Sequence, residues 1–232
     1  MATPTVDLSF FPSPIAIPIE KSRLGDPQRK DLLRFAFENA MGLLGCVLVG
    51  DLLDNLDADD GDDGLRSQIM DSQAEDLLKQ LRNIGMEQLS LGKWANLTRT
   101  LGDCLKDLKG YKPNAKEALK AYQEAKQPID SLVSIRNQDA HGQPIPAAKL
   151  DAELDRREAL LMEVLAAMQF LEQWRLVRLD RFEIASGQQV YYGTEYSGQG
   201  SAAFEGDLAV DQVPLGEPIL IGRKDPTRQI RL

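Results

Sequence analysis

One long apolar stretch near the N-terminus constrains the fold more than any other feature of the chain. Asp26 and Pro27 form a typical helix start, because Asp is a preferred N-cap and Pro is tolerated at the first helical position. From there to about Leu53 the stretch is apolar on nearly every side, and its small residues are Ala36, Ala40, Gly42 and Gly45. A helix that is apolar all round lies inside a protein. We therefore predict a central helix closely surrounded by others.

Apolar residues recur at helical spacing in later segments of the chain. The predicted helices cover residues 67–84, residues 91–108, the stretch from the break at Tyr111–Asn114 to about Ala140, and residues 146–174. Pro128 should kink or restart the third of these helices. Together with the N-terminal helix they make five, joined by short connections, which is typical of a bundle. We therefore predict a mainly α protein built on a five-helix bundle.

The character of the sequence changes after Trp174. Runs typical of strands occur at Leu176–Leu179, Phe182–Ile184, Val190–Tyr192, Ile219–Ile221 and Ile230–Leu232, with a turn at Ser186–Gly187 and a Gly-rich loop between the third and fourth runs. They predict a small antiparallel β appendage at the C-terminus. The last run either pairs back onto this sheet or shows that the chain continues in a longer protein. Tyr191, Tyr192 and Tyr196 fit aromatic pairs across the sheet, which we favour over stacking on a base or ligand.

These patterns divide the chain into three parts. Residues 1–25 contain Pro4, Pro12, Pro14 and Pro18. We predict an extended arm that packs over the bundle, because the apolar side chains between these prolines would otherwise be exposed to water. Residues 26–174 form the helical bundle. Residues 175–232 form the β-rich region, which is truncated if the chain is part of a longer protein.

Composition excludes several classes of function. The net charge of −9 disfavours a dedicated nucleic-acid binder, although a local basic groove is compatible with it. Cys46 and Cys104 are too few for a zinc site or a disulfide scaffold, and they predict buried free thiols in a reducing, cytoplasmic compartment. The N-terminus lacks the features of a signal peptide, and the longest apolar run, residues 40–50, is too short to cross a bilayer. We expect no membrane partner.

Residues 51–63 are rich in aspartate and invite a test for calcium binding. They do not fit the EF-hand pattern, because Ala58 would occupy a ligand position if Gly61 were the turn glycine, and no Glu closes the loop. A solvated loop is the prediction, with calcium binding as the remote alternative. The chain also lacks a Gly-rich phosphate loop with its lysine, so we expect no metal and no cofactor.

The only histidine of the chain, His141, lies at the end of the predicted helix that contains Pro128. Five positions earlier, Arg136 falls within an apolar stripe formed by Ile129, Leu132, Val133 and Ala140. A guanidinium on a core-facing stripe must find partners or line a cavity. Residues five apart on an ideal helix point about 140° away from each other, but Gly142 is a typical C-cap and the helix end can redirect the imidazole. Asn137 and His141 share a face.

The run Arg136-Asn137-Gln138-Asp139-Ala140-His141 resembles the R-x4–6-H signature of HEPN domains, in the form where Asn follows the arginine. The resemblance covers roughly residues 26–174. HEPN domains are small helical bundles that usually dimerise, and in their ribonuclease members Arg and His from two protomers form a metal-independent site that cleaves RNA. The resemblance implies catalytic roles for Arg136, Asn137 and His141, a homodimer, an RNA substrate, and a toxin–antitoxin or antiviral-defence context with a regulatory protein partner.

Two other interpretations of the motif stay open. In a structural one, His141 caps helix carbonyls and Arg136 pairs with a buried carboxylate such as Glu38. In the other, the bundle is a non-catalytic dimerisation, interaction or sensor module, with ligand binding between the bundle and the strands as a variant. The acidic net charge supports this module, although Lys116, Lys120 and Lys126 precede the motif.

Overall fold

The computed structural model describes residues 4–57, 91–106, 116–142, 145–185, 188–208, 215–224 and 229–231. The protein is mainly α with a small antiparallel sheet at its C-terminal side, which confirms the predicted fold class. The described α-helices are α1 (Ser13–Arg23), α2 (Arg29–Asp57), α3 (Leu91–Leu105), α4 (Lys116–Ala140) and α5 (Leu150–Ala167). Short 3-10 turns cover Leu8–Phe10, Ala147–Lys149 and Met168–Gln173.

The described part of the sheet has five strands in the order β3-β2-β1-β4-β5, each antiparallel to its neighbours. The strands are β1 (Trp174–Ala185), β2 (Gln188–Ser197), β3 (Gly200–Asp207), β4 (Pro218–Gly222) and β5 (Gln229–Arg231). The outer strand β5 pairs with β4, so the predicted return of the last run onto the sheet is confirmed.

The chain divides into two compact units. The helical unit contains Ala40–Met168, and the sheet unit contains Thr5–Asn39 and Gln169–Leu232. The N-terminal residues group with the strands because α1 packs against β2 and β3. The predicted assignment of residues 26–174 to one bundle therefore differs from the structure at both ends.

Glycines set the helix spacing inside the helical unit. A Cβ atom built on Gly45 of α2 would lie 3.0 Å from Trp94 Cε3 on α3. A Cβ atom built on Gly102 of α3 would overlap the ring of Tyr122 on α4. These contacts confirm the prediction that small residues of α2 admit a close neighbour, and they show that α3 uses the same device toward α4.

The sheet unit has its own apolar core. One face of the sheet carries buried Val177, Leu179, Tyr191, Phe204, Leu208, Ile219 and Ile221. Tyr191 lies opposite Phe182 across the β1–β2 pair, with ring centroids 5.8 Å apart. This pair confirms the expectation of aromatic cross-strand contacts for Tyr191.

The N-terminal arm is not extended as predicted, because Ser13–Arg23 is an α-helix. Pro14 lies in the first turn, where no N–H is needed. Pro18 lies inside the helix and leaves the carbonyl of Pro14 without its helical donor, and Asn39 Nδ2 donates to that carbonyl at 2.8 Å. The prolines led to the prediction of an extended arm, although Ile15, Ala16 and Ile19 are buried at helical spacing.

Several predicted boundaries also shift. The last predicted helix ends at Ala167, and Trp174 begins β1 instead of closing that helix. Strand β3 occupies part of the expected Gly-rich loop, because its backbone pairs with β2 along its whole length. Pro128 neither breaks nor restarts α4, which is continuous from Lys116 to Ala140.

The aspartate-rich segment begins as helix, since residues 51–57 belong to α2 and Asp51 is buried. The solvated-loop prediction is wrong for these residues because the apolar pattern of α2 continues through Leu52. Residues 58–63 lie outside the described ranges. So do the predicted helix at 67–84, the break at 111–114 and the turn at 186–187.

Helix α2 also bears on the membrane argument. Residues 29–53 are long and apolar enough to cross a bilayer by length and composition alone, and half of the apolar window is buried inside the protein. The core helix of a soluble protein has the same properties. Counting only the uninterrupted run at 40–50 missed this helix, because a spanning window tolerates a few polar residues.

Candidate functional site

Helix α4 carries the predicted motif at its C-terminal end. Its buried residues form one stripe: Ala118, Ala121, Tyr122, Ala125, Pro128, Ile129, Leu132 and Ile135. Continued at 3.6 residues per turn, this stripe passes closest to positions 136 and 139, whereas positions 137, 138 and 141 face the other way. Ala140 is exposed, so the prediction that it belongs to the buried stripe is wrong.

Helical hydrogen bonding of α4 continues through His141. The backbone N–H of His141 still donates to the Asn137 carbonyl at 3.1 Å, as in a continuing helix. Gly142 then adopts φ +70°, the left-handed conformation of a helix C-cap. The C-cap prediction is confirmed, but the backbone of His141 keeps the helical direction. The helix end therefore does not redirect this residue toward Arg136.

His141 and Asn137 line a groove of about 670 Å³ that runs along α4. We call it the α4 groove, and its other lining residues are Lys126, Asp130, Val133, Ser134, Gln138 and, from α3, Arg99. Both His141 and Asn137 are exposed. The arrangement offers one imidazole, two amides and two cations in one open groove.

Arg136 lies outside this groove, on the core-facing side of α4, and is half-buried. Its Nη1 atom donates a hydrogen bond to Asn137 Oδ1 at 3.2 Å. The structure therefore brings two of the three predicted catalytic residues together in one groove. Arg136 is linked to that groove through the amide of Asn137.

Ion pairs between α3 and α4 fix the groove's charged side chains. Arg99 Nη2 lies 2.7 Å from Asp130 Oδ1, and Lys126 Nζ lies 3.3 Å from Asp103 Oδ1. Burial alone would raise the pKa of Asp103, but hydrogen bonds from Lys106 and Lys126 outweigh it and hold this pKa below 3.8. The groove thus combines two cations with one lining carboxylate, which leaves it locally less acidic than the chain as a whole.

The buried arginine at the end of the bundle is Arg157 on α5. Its Nη1 and Nη2 atoms bind the two carboxylate oxygens of Asp139 at 2.7 and 3.2 Å, and its Nε atom donates to Glu153 Oε1 at 3.3 Å. Burial alone would lower the pKa of Arg157, but Asp139 and Glu153 outweigh it and raise the pKa, so the guanidinium stays charged. The structural interpretation placed such a pair at Arg136, whereas among the described residues the buried arginine–carboxylate pair is at Arg157.

A sequence signal for Arg157 was present. This residue lies at helical spacing between the apolar residues Leu154 and Leu161, as Arg136 does between Leu132 and Ala140. An arginine on an apolar stripe must find partners, and this argument applies to Arg157 as well as to Arg136. The structure shows that both apolar neighbours of Arg157, Leu154 and Leu161, are buried.

Within the described ranges, no group of three His, Cys, Asp or Glu side chains is placed to hold a metal ion. Cys46 and Cys104 are not joined in a disulfide, and both are partly buried on their helices. Burial raises the pKa of Cys46 to about 11, so this thiol is protonated and unreactive at neutral pH. The chemistry available at the α4 groove therefore comes from His141 and its polar neighbours.

No protein-family model, curated protein or solved structure matches the chain. The likeness to HEPN domains accordingly rests on the motif and on the helical architecture around it.

Proposed function

We propose that this chain is a HEPN-like ribonuclease, which cleaves RNA without a metal ion at a site completed by a second protomer. The observation that carries the proposal is the placement of the only histidine in the chain, exposed in the α4 groove beside Asn137. The resemblance of the motif supplies the substrate class, the homodimer and the toxin or antiviral-defence context. The cytoplasmic compartment rests on the reduced cysteines inferred from the sequence.

The proposed reaction needs only proton transfer and charge stabilisation. A base removes the proton of a ribose 2′-hydroxyl, and the resulting oxygen attacks the adjacent phosphorus. An acid protonates the departing 5′-oxygen, which leaves a 2′,3′-cyclic phosphate and a 5′-hydroxyl. Imidazole suits both transfers because it changes charge near neutral pH. His141 provides this group, and a guanidinium stabilises the charge on the pentavalent phosphate.

A second protomer explains why Arg136 lies outside the groove. On a continuous helix, residues five apart point in different directions, by about 140°. A homodimer removes this conflict, since an arginine from the second protomer approaches the His141 of the first from outside. Asn137, which accepts a hydrogen bond from Arg136 in the same chain, then orients the guanidinium or the substrate.

Substrate phosphates bind at Arg99 and Lys126 in this proposal. Both cations line the α4 groove, and both are held by carboxylates on the opposite helix. The net charge of −9 keeps general affinity for nucleic acid low, so binding depends on these local cations and weakens with added salt.

The test is cleavage of total RNA and tRNA in excess chelator by the wild type, Arg136→Ala and His141→Ala. Removal of a general acid–base lowers the rate by about 100-fold to 10,000-fold, and removal of a group that stabilises the transition-state charge lowers it by about 100-fold to 1,000-fold. We therefore expect both variants to lose cleavage. Arg156→Ala is the matched control, because Arg156 is an exposed arginine on α5. Cleavage that disappears with the metal, or that persists in His141→Ala, contradicts the proposal.

A second candidate function is a non-catalytic dimerisation module. It is favoured by Phe182 and Ile184 of β1, which are 45% and 72% exposed. They lie beyond Arg178, where the described pairing of β1 with β4 ends, and no described strand pairs with this edge of β1 at Phe182 and Ile184. Under this function a second copy pairs there. Under this function Ile184→Asp dissociates the dimer, whereas His141→Ala leaves assembly unchanged and no cleavage is found.

A further inference from the structure

We infer that Asp139 and Arg157 are positioning residues, which hold the last turn of α4 so that His141 stays in the α4 groove. The catalytic consequence of this inference rests on the proposed function, but its structural content does not. We call the two-pronged contact between these side chains the α4–α5 clamp.

The apolar contacts of α4 end before the motif does. Ile135 is the last buried residue on its stripe. After it come a half-buried arginine, two exposed amides, Asp139 and two exposed residues, Ala140 and His141. Helix ends without packed side chains fray. Apolar burial therefore does not account for an ordered final turn.

The clamp supplies what apolar burial does not. The side chain of Arg157 is 9% exposed, and its guanidinium binds both carboxylate oxygens of Asp139, with N–O distances of 2.7 and 3.2 Å. Two parallel charge-assisted hydrogen bonds fix direction as well as distance. Asp139 lies two positions before His141, in the same turn as the Asn137 carbonyl that accepts the His141 N–H. Holding Asp139 therefore holds the backbone that carries the imidazole.

Glu153 provides a matched control. It binds the same arginine, Nε to Oε1 at 3.3 Å, and its side chain is 23% exposed compared with 19% for Asp139. Glu153 however belongs to α5, as Arg157 does, so their bond does not reach α4. Glu153→Gln weakens one bond to Arg157 but leaves the bond between Arg157 and Asp139, so the motif stays attached to α5. Asp139→Asn weakens the bond between Arg157 and Asp139 itself, so the motif is released from α5.

The first measurement is the order parameter of the His141 backbone N–H by ¹⁵N relaxation, for which the single histidine permits selective labelling. We expect about 0.85 in the wild type and in Glu153→Gln, and a fall below about 0.6 in Asp139→Asn. Arg157→Lys, which keeps a charge but loses the fork, should lie between these values. An unchanged order parameter in a folded Asp139→Asn protein overturns the inference.

The second measurement separates positioning from stability. A misplacement of about 1 Å costs about 100-fold in rate, so Asp139→Asn should lower kcat by about that factor with KM nearly unchanged. Glu153→Gln should keep the kcat of the wild type even if its melting temperature falls. Equal losses of kcat in both variants overturn the inference. If the wild type does not cleave RNA, the proposed function fails, and the order parameter still decides whether the clamp holds His141.

Discussion

The two parts of α4 are held in different ways. From Ala118 to Ile135 the helix is held by a continuous apolar stripe and by the close approach of α3 at Gly102. In the last turn, the position facing the core is Asp139, which binds Arg157. Apolar packing is strong but makes an unpaired polar group costly to bury, whereas an ion pair fixes an exposed polar turn in one orientation. The last turn of α4 therefore keeps a fixed orientation while it exposes polar side chains.

The largest effect should come from breaking the apolar part. Ile129 is fully buried on the stripe, and Ile129→Ala should lower the free energy of unfolding by about 2–5 kcal/mol, through lost burial and the cavity left behind. Urea unfolding measures this change. The exposed Gln127→Ala on the same helix should stay within about 0.5 kcal/mol of the wild type. Similar losses in both variants would contradict the placement of the stripe.

A smaller effect should come from the terminal turn. Gly142 has φ +70° with open space around it, so Gly142→Ala adds only backbone strain, worth about 1–2 kcal/mol. Gly25, at φ +77° and equally open, is its counterpart after α1. Both substitutions should lower the melting temperature, but only Gly142→Ala should lower the order parameter of the His141 N–H. If Gly25→Ala disturbs His141 as much, the terminal turn is not an independent part of the helix.

Removing the Tyr122 hydroxyl should have little effect or a slight stabilising one. The ring of Tyr122 packs against Gly102. Its hydroxyl oxygen is buried and has no hydrogen-bond partner among the described residues. Burial, and secondarily the charge of Asp103, raise the pKa of Tyr122 to about 12, so the hydroxyl stays protonated. We expect Tyr122→Phe to raise the free energy of unfolding by up to about 1 kcal/mol, because an unpaired polar group is costly to bury. A clear loss of stability would show that the hydroxyl has a partner.

The smallest effect should be a pH dependence at Asp103. Its pKa is lower in the folded protein than in the unfolded chain, so its contribution to stability is present above pH 3.8 and is lost as the pH falls below that value. Because the pair is partly exposed, we expect Asp103→Asn to cost no more than about 1 kcal/mol at pH 7. The difference from the wild type should shrink as the pH falls further below 3.8 and Asp103 becomes protonated in the folded protein. A difference that is independent of pH would mean that the effect is not electrostatic.

Sequence reasoning predicted elements better than their packing. Apolar periodicity located α2, α3, α4 and most of the strands, because burial at helical or alternating spacing is visible in the residues themselves. It missed α1, because Pro18 is compatible with a helix only when another residue satisfies the carbonyl of Pro14. That residue is Asn39, which lies 25 residues after Pro14 in the chain.

The candidate site was predicted in part for the same reason. The position of His141 before a C-cap glycine follows from local sequence, and the structure places it there. Whether Arg136 or Arg157 finds a buried carboxylate depends on how α4 and α5 pack. That packing pairs Asp139 with Arg157, which are 18 residues apart, and no local pattern specifies it.

The measurement that tests the account most directly follows dimerisation and RNA cleavage together, by light scattering and by cleavage in chelator across the same range of protein concentrations. If the site needs residues from two protomers, the rate per protomer should rise with the fraction of dimer and level off when dimerisation is complete. His141→Ala should dimerise equally well and cleave nothing. A monomer that cleaves at the full rate, or a folded dimer that never cleaves, would contradict the composite site.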